Sequence, residues 1–134
     1  MPDPVLPPVR GAFRALAVTF VPEAAALDEA QWAVVERIVE DALAPRPAKV
    51  RRQLGMLIRM LDLLPLAWFG RRFTVLGPDA RLSFLSAVQN FPVLLIRRGI
   101  WGLRTLVFMG YYARPAAAAE IGYRAEARGW EARR

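Results

Sequence analysis

Proline divides this chain into short segments. Eleven of its 134 residues are proline, and a proline inside a helix removes a backbone hydrogen bond and clashes with the preceding turn. Four of the eleven lie within residues 1–9, where we expect an extended arm. Between the others, apolar residues recur at spacings of three and four, which is the period of a helix. The pattern predicts an all-α fold, a compact bundle of about five helices.

Proline and capping residues also predict where the helices begin and end. The five helices are expected at about 10–20, 28–43, 47–64, 78–90 and 92–112. Asp28 with Gln31 three residues later resembles a capping box, which opens the second helix. Pro65 should kink or end the third helix, on whose core face the spacing places Trp68. In the second helix, the spacing places Glu36 away from the apolar face.

The chain has room for one domain. At 134 residues it falls within the usual size of a single domain, which we expect over residues 10–123, with the arm before it and a polar C-terminal tail at 124–134. Its apolar fraction of 55% exceeds the roughly 45–50% that is typical of soluble domains. The surplus apolar surface should face a partner, a membrane or another copy of the chain.

Positive charge is concentrated in the second half of the chain. Residues 1–45 hold 3 basic and 7 acidic residues, whereas residues 46–104 hold 11 and 2. An acidic or anionic partner should therefore dock on the second half. Nucleic acid is a less favoured partner, because Arg59, Arg97, Arg98 and Arg104 lie in strongly apolar helices rather than on a polar face that could reach base edges.

Residue types that catalysis commonly needs are missing. The chain has no histidine and no cysteine, so the common zinc and haem ligand sets and histidine-based nucleophile systems cannot be assembled. The two acids of the basic half have structural interpretations: Asp79 begins a helix, and Asp62 is spaced to pair with Arg59. We expect no catalytic, cofactor-binding or metal-binding residues in this chain.

The segment around residues 97–123 is the best candidate for a partner interface. Gly99, Gly102 and Gly110 lie within one predicted helix, where each costs about 1 kcal/mol relative to alanine, so they suggest close approach of another backbone. Packing within this domain is the alternative explanation. Arginine and aromatic residues are typical of interface contacts. The candidate interface residues are Arg97, Arg98, Trp101, Arg104, Tyr111, Tyr112 and Tyr123.

Part of this segment resembles a known family. The matching runs are Phe84-Leu85, Leu103-Arg104-Thr105-Leu106, Gly110-Tyr111-Tyr112-Ala113-Arg114-Pro115 and Glu120-Ile121-Gly122-Tyr123. They are similar to the C-terminal part of the gluconate 2-dehydrogenase subunit 3 family, and residues 13–22 are similar to its opening helix. The resemblance implies a non-catalytic small subunit that binds and stabilises a larger dehydrogenase of the glucose–methanol–choline type. The large partner would carry FAD, and the two would form a hetero-oligomer.

A second function class stays open. Arginines beside Trp68, Trp101 and Tyr112 would also suit a peripheral membrane-associated protein. A membrane-spanning helix is not expected, because Arg97, Arg98 and Arg104 interrupt the longest apolar stretch. The resemblance implies a twin-arginine signal in exported family members, but the N-terminus shows no signal peptide. We therefore expect a cytoplasmic complex, with its substrate and stoichiometry open.

Overall fold

The computed structural model describes residues 4–113, and every regular element among them is a helix. The α-helices are α1 (Arg10–Phe20), α2 (Glu29–Leu43), α3 (Ala48–Leu63), the short α4 (Pro65–Phe69), α5 (Pro78–Gln89) and α6 (Leu94–Tyr112). Short 3-10 helices occur at Pro7–Val9, Pro22–Ala26 and Phe73–Val75. The predicted all-α bundle is confirmed. The expected tail at 124–134 and Tyr123 lie outside the described residues.

Local chemistry explains the helix boundaries. The side chain of Asp28 accepts a hydrogen bond from the Gln31 amide at 2.8 Å, and the Gln31 side chain accepts one from the Asp28 amide at 3.0 Å. This capping box confirms the predicted start of α2. Pro65 separates α3 from α4, and Gly70, whose φ is +69°, ends α4 in the left-handed conformation that glycine tolerates best.

The core lies between α1 and the helices that surround it. α1 contacts α3, α5 and α6, and α2 packs along α6. Large side chains from every long helix are fully buried there, and they include Phe13, Leu16, Val35, Ile58, Phe84 and Leu103. Because the inward face of α6 is anchored by this core, its opposite face is held towards solvent.

Gly110 explains how α2 and α6 come close. A Cβ atom at this position would lie 3.0 Å from Val35 Cγ1 and from Val39 Cγ2, and 3.2 Å from the Val35 carbonyl oxygen. The predicted close approach of another backbone is therefore confirmed here, and it is an approach within the domain. At Gly102, by contrast, a Cβ atom would meet nothing within 4 Å.

These two glycines should respond oppositely to alanine. We expect Gly102→Ala to raise the free energy of unfolding by about 0.5–1 kcal/mol, since alanine favours the helix. Gly110→Ala should instead lower the free energy of unfolding by about 1 kcal/mol, because overpacking against α2 costs more than the helix preference of alanine contributes. Urea denaturation of both variants measures the difference. A stabilising Gly110→Ala would contradict the close packing of α2 against α6.

The N-terminal segment differs from the extended arm that the sequence predicts. Residues 7–9 form a 3-10 turn, and Leu6 and Val9 are buried in the core. The Glu40 carboxylate accepts hydrogen bonds from the amides of Val5 and Leu6, each at 3.0 Å. Apolar burial and this carboxylate together fold residues 5–9 against the bundle.

Glu36 also lies where the sequence did not place it. Its side chain is buried between α1 and α2, where it accepts from Arg10 Nε at 2.7 Å and from Arg14 Nη2 at 3.0 Å. Arg14 also donates to the exposed Glu29 at 2.8 Å. The hydrogen bond to Arg14 lowers the pKa of Glu29, and the same bond raises the pKa of Arg14. Two arginines thus compensate the buried charge of Glu36.

Candidate partner interface

The solvent side of α6 carries most of the predicted interface. Residues spaced by four and three share that side, as helical geometry requires, and we call them the outer face: Leu94, Arg98, Trp101, Thr105, Phe108 and Tyr112. Arg97 and Arg104 lie at the edge of the outer face, next to Arg98 and Thr105 along the helix. The inward side holds the buried Ile100, Leu103 and Val107. The core therefore fixes the direction in which the outer face points.

Trp101 is the most exposed large aromatic side chain among residues 4–113. Its exposed fraction is 72%, although a tryptophan is among the side chains that gain most from burial. Arg97 and Arg98 are exposed one turn before it and form no ion pair within the described part of the chain. An exposed aromatic side chain beside uncompensated arginines is the composition expected of an interface with an acidic surface.

The C-terminal half of the outer face is organised by ring contacts. The Arg104 guanidinium lies over the Phe108 ring at 5.2 Å, and Phe108 stacks on Tyr112 with ring centroids 5.9 Å apart. Tyr111 meets Tyr112 edge to face at 4.9 Å. Tyr111 is half-buried and packs against the core, so its ring supports that of Tyr112 on the side that faces the core. These contacts restrict the side chains before any partner binds.

Trp68 is not on the core face of α3, contrary to the sequence-based prediction. The helix breaks at Pro65, which has no amide proton, and α4 directs Trp68 outward to an exposed fraction of 52%. The centroid of its ring lies 5.7 Å from that of Phe84 and 6.4 Å from that of the exposed Phe91. Trp68 thus belongs to a surface at the junction of α4 with the connection between α5 and α6.

Asp62 is buried and pairs with Arg72, not with Arg59 as the spacing predicts. The Arg72 guanidinium donates to Asp62 Oδ2, with Nε at 2.9 Å, and the Thr74 amide donates to Oδ1 at 3.3 Å. Arg59 lies on the solvent side of the same helix. Asp62 therefore holds the connection between α4 and α5 against α3.

A cleft of about 580 Å³ opens beside this ion pair. Its lining includes Arg59, Asp62, Arg72 and Thr74, together with Pro8 and Val9 from the N-terminal segment. Both carboxylate oxygens of Asp62 are engaged in hydrogen bonds. The described lining consequently offers cations but no free carboxylate for proton transfer.

Two further features of residues 4–113 bear on the kind of site. No group of three or more histidine, cysteine, aspartate or glutamate residues in this range could hold a metal ion. No helix in the same range is both long and apolar enough to cross a membrane.

Searches of protein-family models, curated proteins and solved structures with this chain found no match.

The structure adds residues to the candidate interface that the sequence analysis did not name. Leu94 and Phe108 continue the outer face in both directions from Trp101. The signal was present in the sequence, because Leu94, Arg98, Trp101, Thr105, Phe108 and Tyr112 repeat at steps of four and three. It was overlooked because α6 is apolar on both sides, so the core face and the outer face give overlapping patterns.

Proposed function

We propose that this chain is a non-catalytic helical subunit that binds and stabilises a larger oxidoreductase subunit through the outer face of α6. The observation that carries the proposal is Trp101, 72% exposed beside Arg97 and Arg98, which have no ion-pair partners within residues 4–113. Tryptophan and arginine are among the residue types that most often dominate the binding energy of a protein interface.

The sequence resemblance supports an FAD-dependent alcohol or sugar dehydrogenase as the partner. Leu103 to Leu106 and Gly110 to Tyr112, which carry part of that resemblance, all lie on α6. The same helix thus bears both the family-like residues and the exposed aromatic and arginine side chains. The flavin and the catalytic groups would belong to the large subunit.

Co-purification tests the proposal. The full chain, tagged and expressed in its native host, should retain a large subunit in fixed ratio, and that preparation should show a flavin absorbance spectrum. Loss of the small chain should lower the yield of soluble flavoprotein. A monodisperse chain that retains no flavoprotein, in a host whose flavoprotein yield is unaffected by its deletion, would overturn the proposal.

Charge reversal on α6 should weaken this assembly. We expect Arg97→Glu with Arg98→Glu to raise the dissociation constant about tenfold, which corresponds to about 1.4 kcal/mol, because acids would then face an acidic surface. Arg46→Glu with Lys49→Glu is the matched control: it changes the net charge equally at exposed positions outside α6. Equal losses in titration calorimetry would place the interface elsewhere.

A further inference from the structure

A second exposed apolar surface lies at the end of the bundle where α6 begins. We call it the apolar end and define it by Trp68, Phe91, Val93, Leu94 and Leu95. All five side chains are exposed, and Leu95 reaches 73%. Trp68 and Phe91 are in ring contact, and Phe91 leads directly into residues 93–95. Large apolar side chains collected at one end of a domain mark an interaction site rather than scattered surface residues.

The apolar end is supported from beneath. Trp68 rests on Phe84, which is fully buried and in turn contacts Phe73 at 5.9 Å. Val93 has an extended backbone, with φ −94° and ψ 108°, immediately before α6. Trp68 is thus held by a packed aromatic cluster, and the side chains of the apolar end stay exposed within residues 4–113.

Arginines surround the apolar end without compensating acids. Arg71, Arg97 and Arg98 are exposed and form no ion pair within residues 4–113. Between Leu63 and Arg104 the sequence contains a single acid, Asp79. It lies in the first turn of α5, whereas Phe91 follows the last turn of that helix. The part of the chain that forms the apolar end is therefore strongly basic.

We propose that the apolar end inserts into the surface of a membrane that contains anionic lipids. The order of residues along α6 matches the layers of a bilayer surface, with Leu94 and Leu95 first and Arg97 and Arg98 after them. With a rise of about 1.5 Å per residue, the arginines follow the leucines by roughly 4–5 Å. Apolar faces are commonly buried about 5–10 Å deep in the boundary between headgroups and acyl chains, so leucines at that depth would bring the guanidinium groups closer to the lipid phosphates.

This inference goes beyond the proposed subunit function and does not depend on it. Leu94, Arg97 and Arg98 lie where the outer face adjoins the apolar end. Trp101 and the outer-face residues after it would meet the protein partner, whereas the apolar end would meet lipid. A complex that binds the flavoprotein but no vesicles would overturn only the membrane proposal, and the reverse result would overturn only the proposed function.

Vesicle flotation with the full chain tests the membrane proposal. We expect binding to vesicles that contain about one-third phosphatidylserine, weaker binding in high salt, and little binding to pure phosphatidylcholine. Leu95→Asp should lower the vesicle partition coefficient at least about tenfold, since it removes apolar contact and adds a negative charge. Leu95 is too exposed to be needed for folding, and an unchanged thermal transition would show this.

Met56→Asp is the matched control. Met56 is 71% exposed on α3 and lies outside the apolar end, so the substitution makes the same change in charge at an equally exposed apolar position. Equal losses for the two variants would mean that net charge alone drives binding and would overturn the proposal. So would the absence of binding to anionic vesicles, or equal binding to neutral ones.

Quenching of tryptophan fluorescence by brominated lipid identifies the inserted surface. Trp68→Phe should remove most of the quenching, whereas Trp101→Phe should leave most of it. The opposite result would show that the outer face of α6 meets the membrane, and it would overturn the assignment to the apolar end.

Discussion

Replacing Glu36 by alanine should lower the free energy of unfolding by about 2–3 kcal/mol. The buried carboxylate joins α1 to α2 through Arg10 and Arg14. Its removal leaves Arg10 without its carboxylate partner and leaves Arg14 with the exposed Glu29 alone. Breaking a buried ion pair costs about 3–5 kcal/mol. We expect less here, because the Arg10 side chain is half-exposed and can be solvated again.

Glu29→Ala is the control for this effect. Glu29 also pairs with Arg14, but its carboxylate is exposed, and exposed pairs contribute about 0–1 kcal/mol. Urea denaturation of the two variants should therefore separate them clearly. If Glu29→Ala were as costly as Glu36→Ala, the larger contribution of the buried carboxylate of Glu36 would be refuted.

Trp101→Ala should weaken binding of the large subunit about 30-fold. Truncating a central aromatic anchor commonly costs about 2 kcal/mol or more in binding free energy, and that cost corresponds to about this ratio of dissociation constants. The stability of the isolated chain should hardly change, because the Trp101 side chain is mostly exposed and buries little surface in the free protein. This prediction rests on the proposed function.

Titration calorimetry on the purified pair checks the Trp101 prediction. Met56→Ala, at an equally exposed apolar position outside α6, should leave the dissociation constant unchanged. An unchanged constant for Trp101→Ala, together with an unchanged thermal transition, would remove Trp101 from the interface and with it the main support for the outer face.

Local signals made most of the fold predictable. A proline limits the helix at its own position, because it has no amide proton and its φ is fixed; this holds at Pro22, Pro65 and Pro78. The Asp28 capping box involves residues only three apart. Such effects do not depend on the tertiary arrangement. The predicted and observed helix boundaries consequently agree to within about two residues, which is also the usual uncertainty of a helix end.

Errors arose where a residue depends on a neighbour that is distant in sequence. Glu36 is buried because Arg10 and Arg14 reach it from α1. Asp62 takes Arg72 as its partner because the connection after α4 folds back over α3. Helical spacing alone describes one helix at a time, so it assigned Glu36 to solvent and Asp62 to Arg59.

The position of the candidate interface residues on α6 was predictable only in part. Arg97, Arg98, Trp101, Arg104 and Tyr112 were chosen by residue type, and the structure places them all on the solvent side of α6 or at its border. Tyr111 faces the core instead, because it is one residue from Tyr112 and so points about 100° away from it.

The packing of α2 along α6 has a consequence during synthesis. Val35 and Val39 meet Gly110, which the ribosome adds about 75 residues later, so at about 5–20 residues per second the apolar side of α2 waits roughly 4–15 s for its cover. Throughout that interval the nascent chain carries the uncovered face of its second helix. A chain released before α6 would keep that face open permanently, so the last described helix closes the bundle.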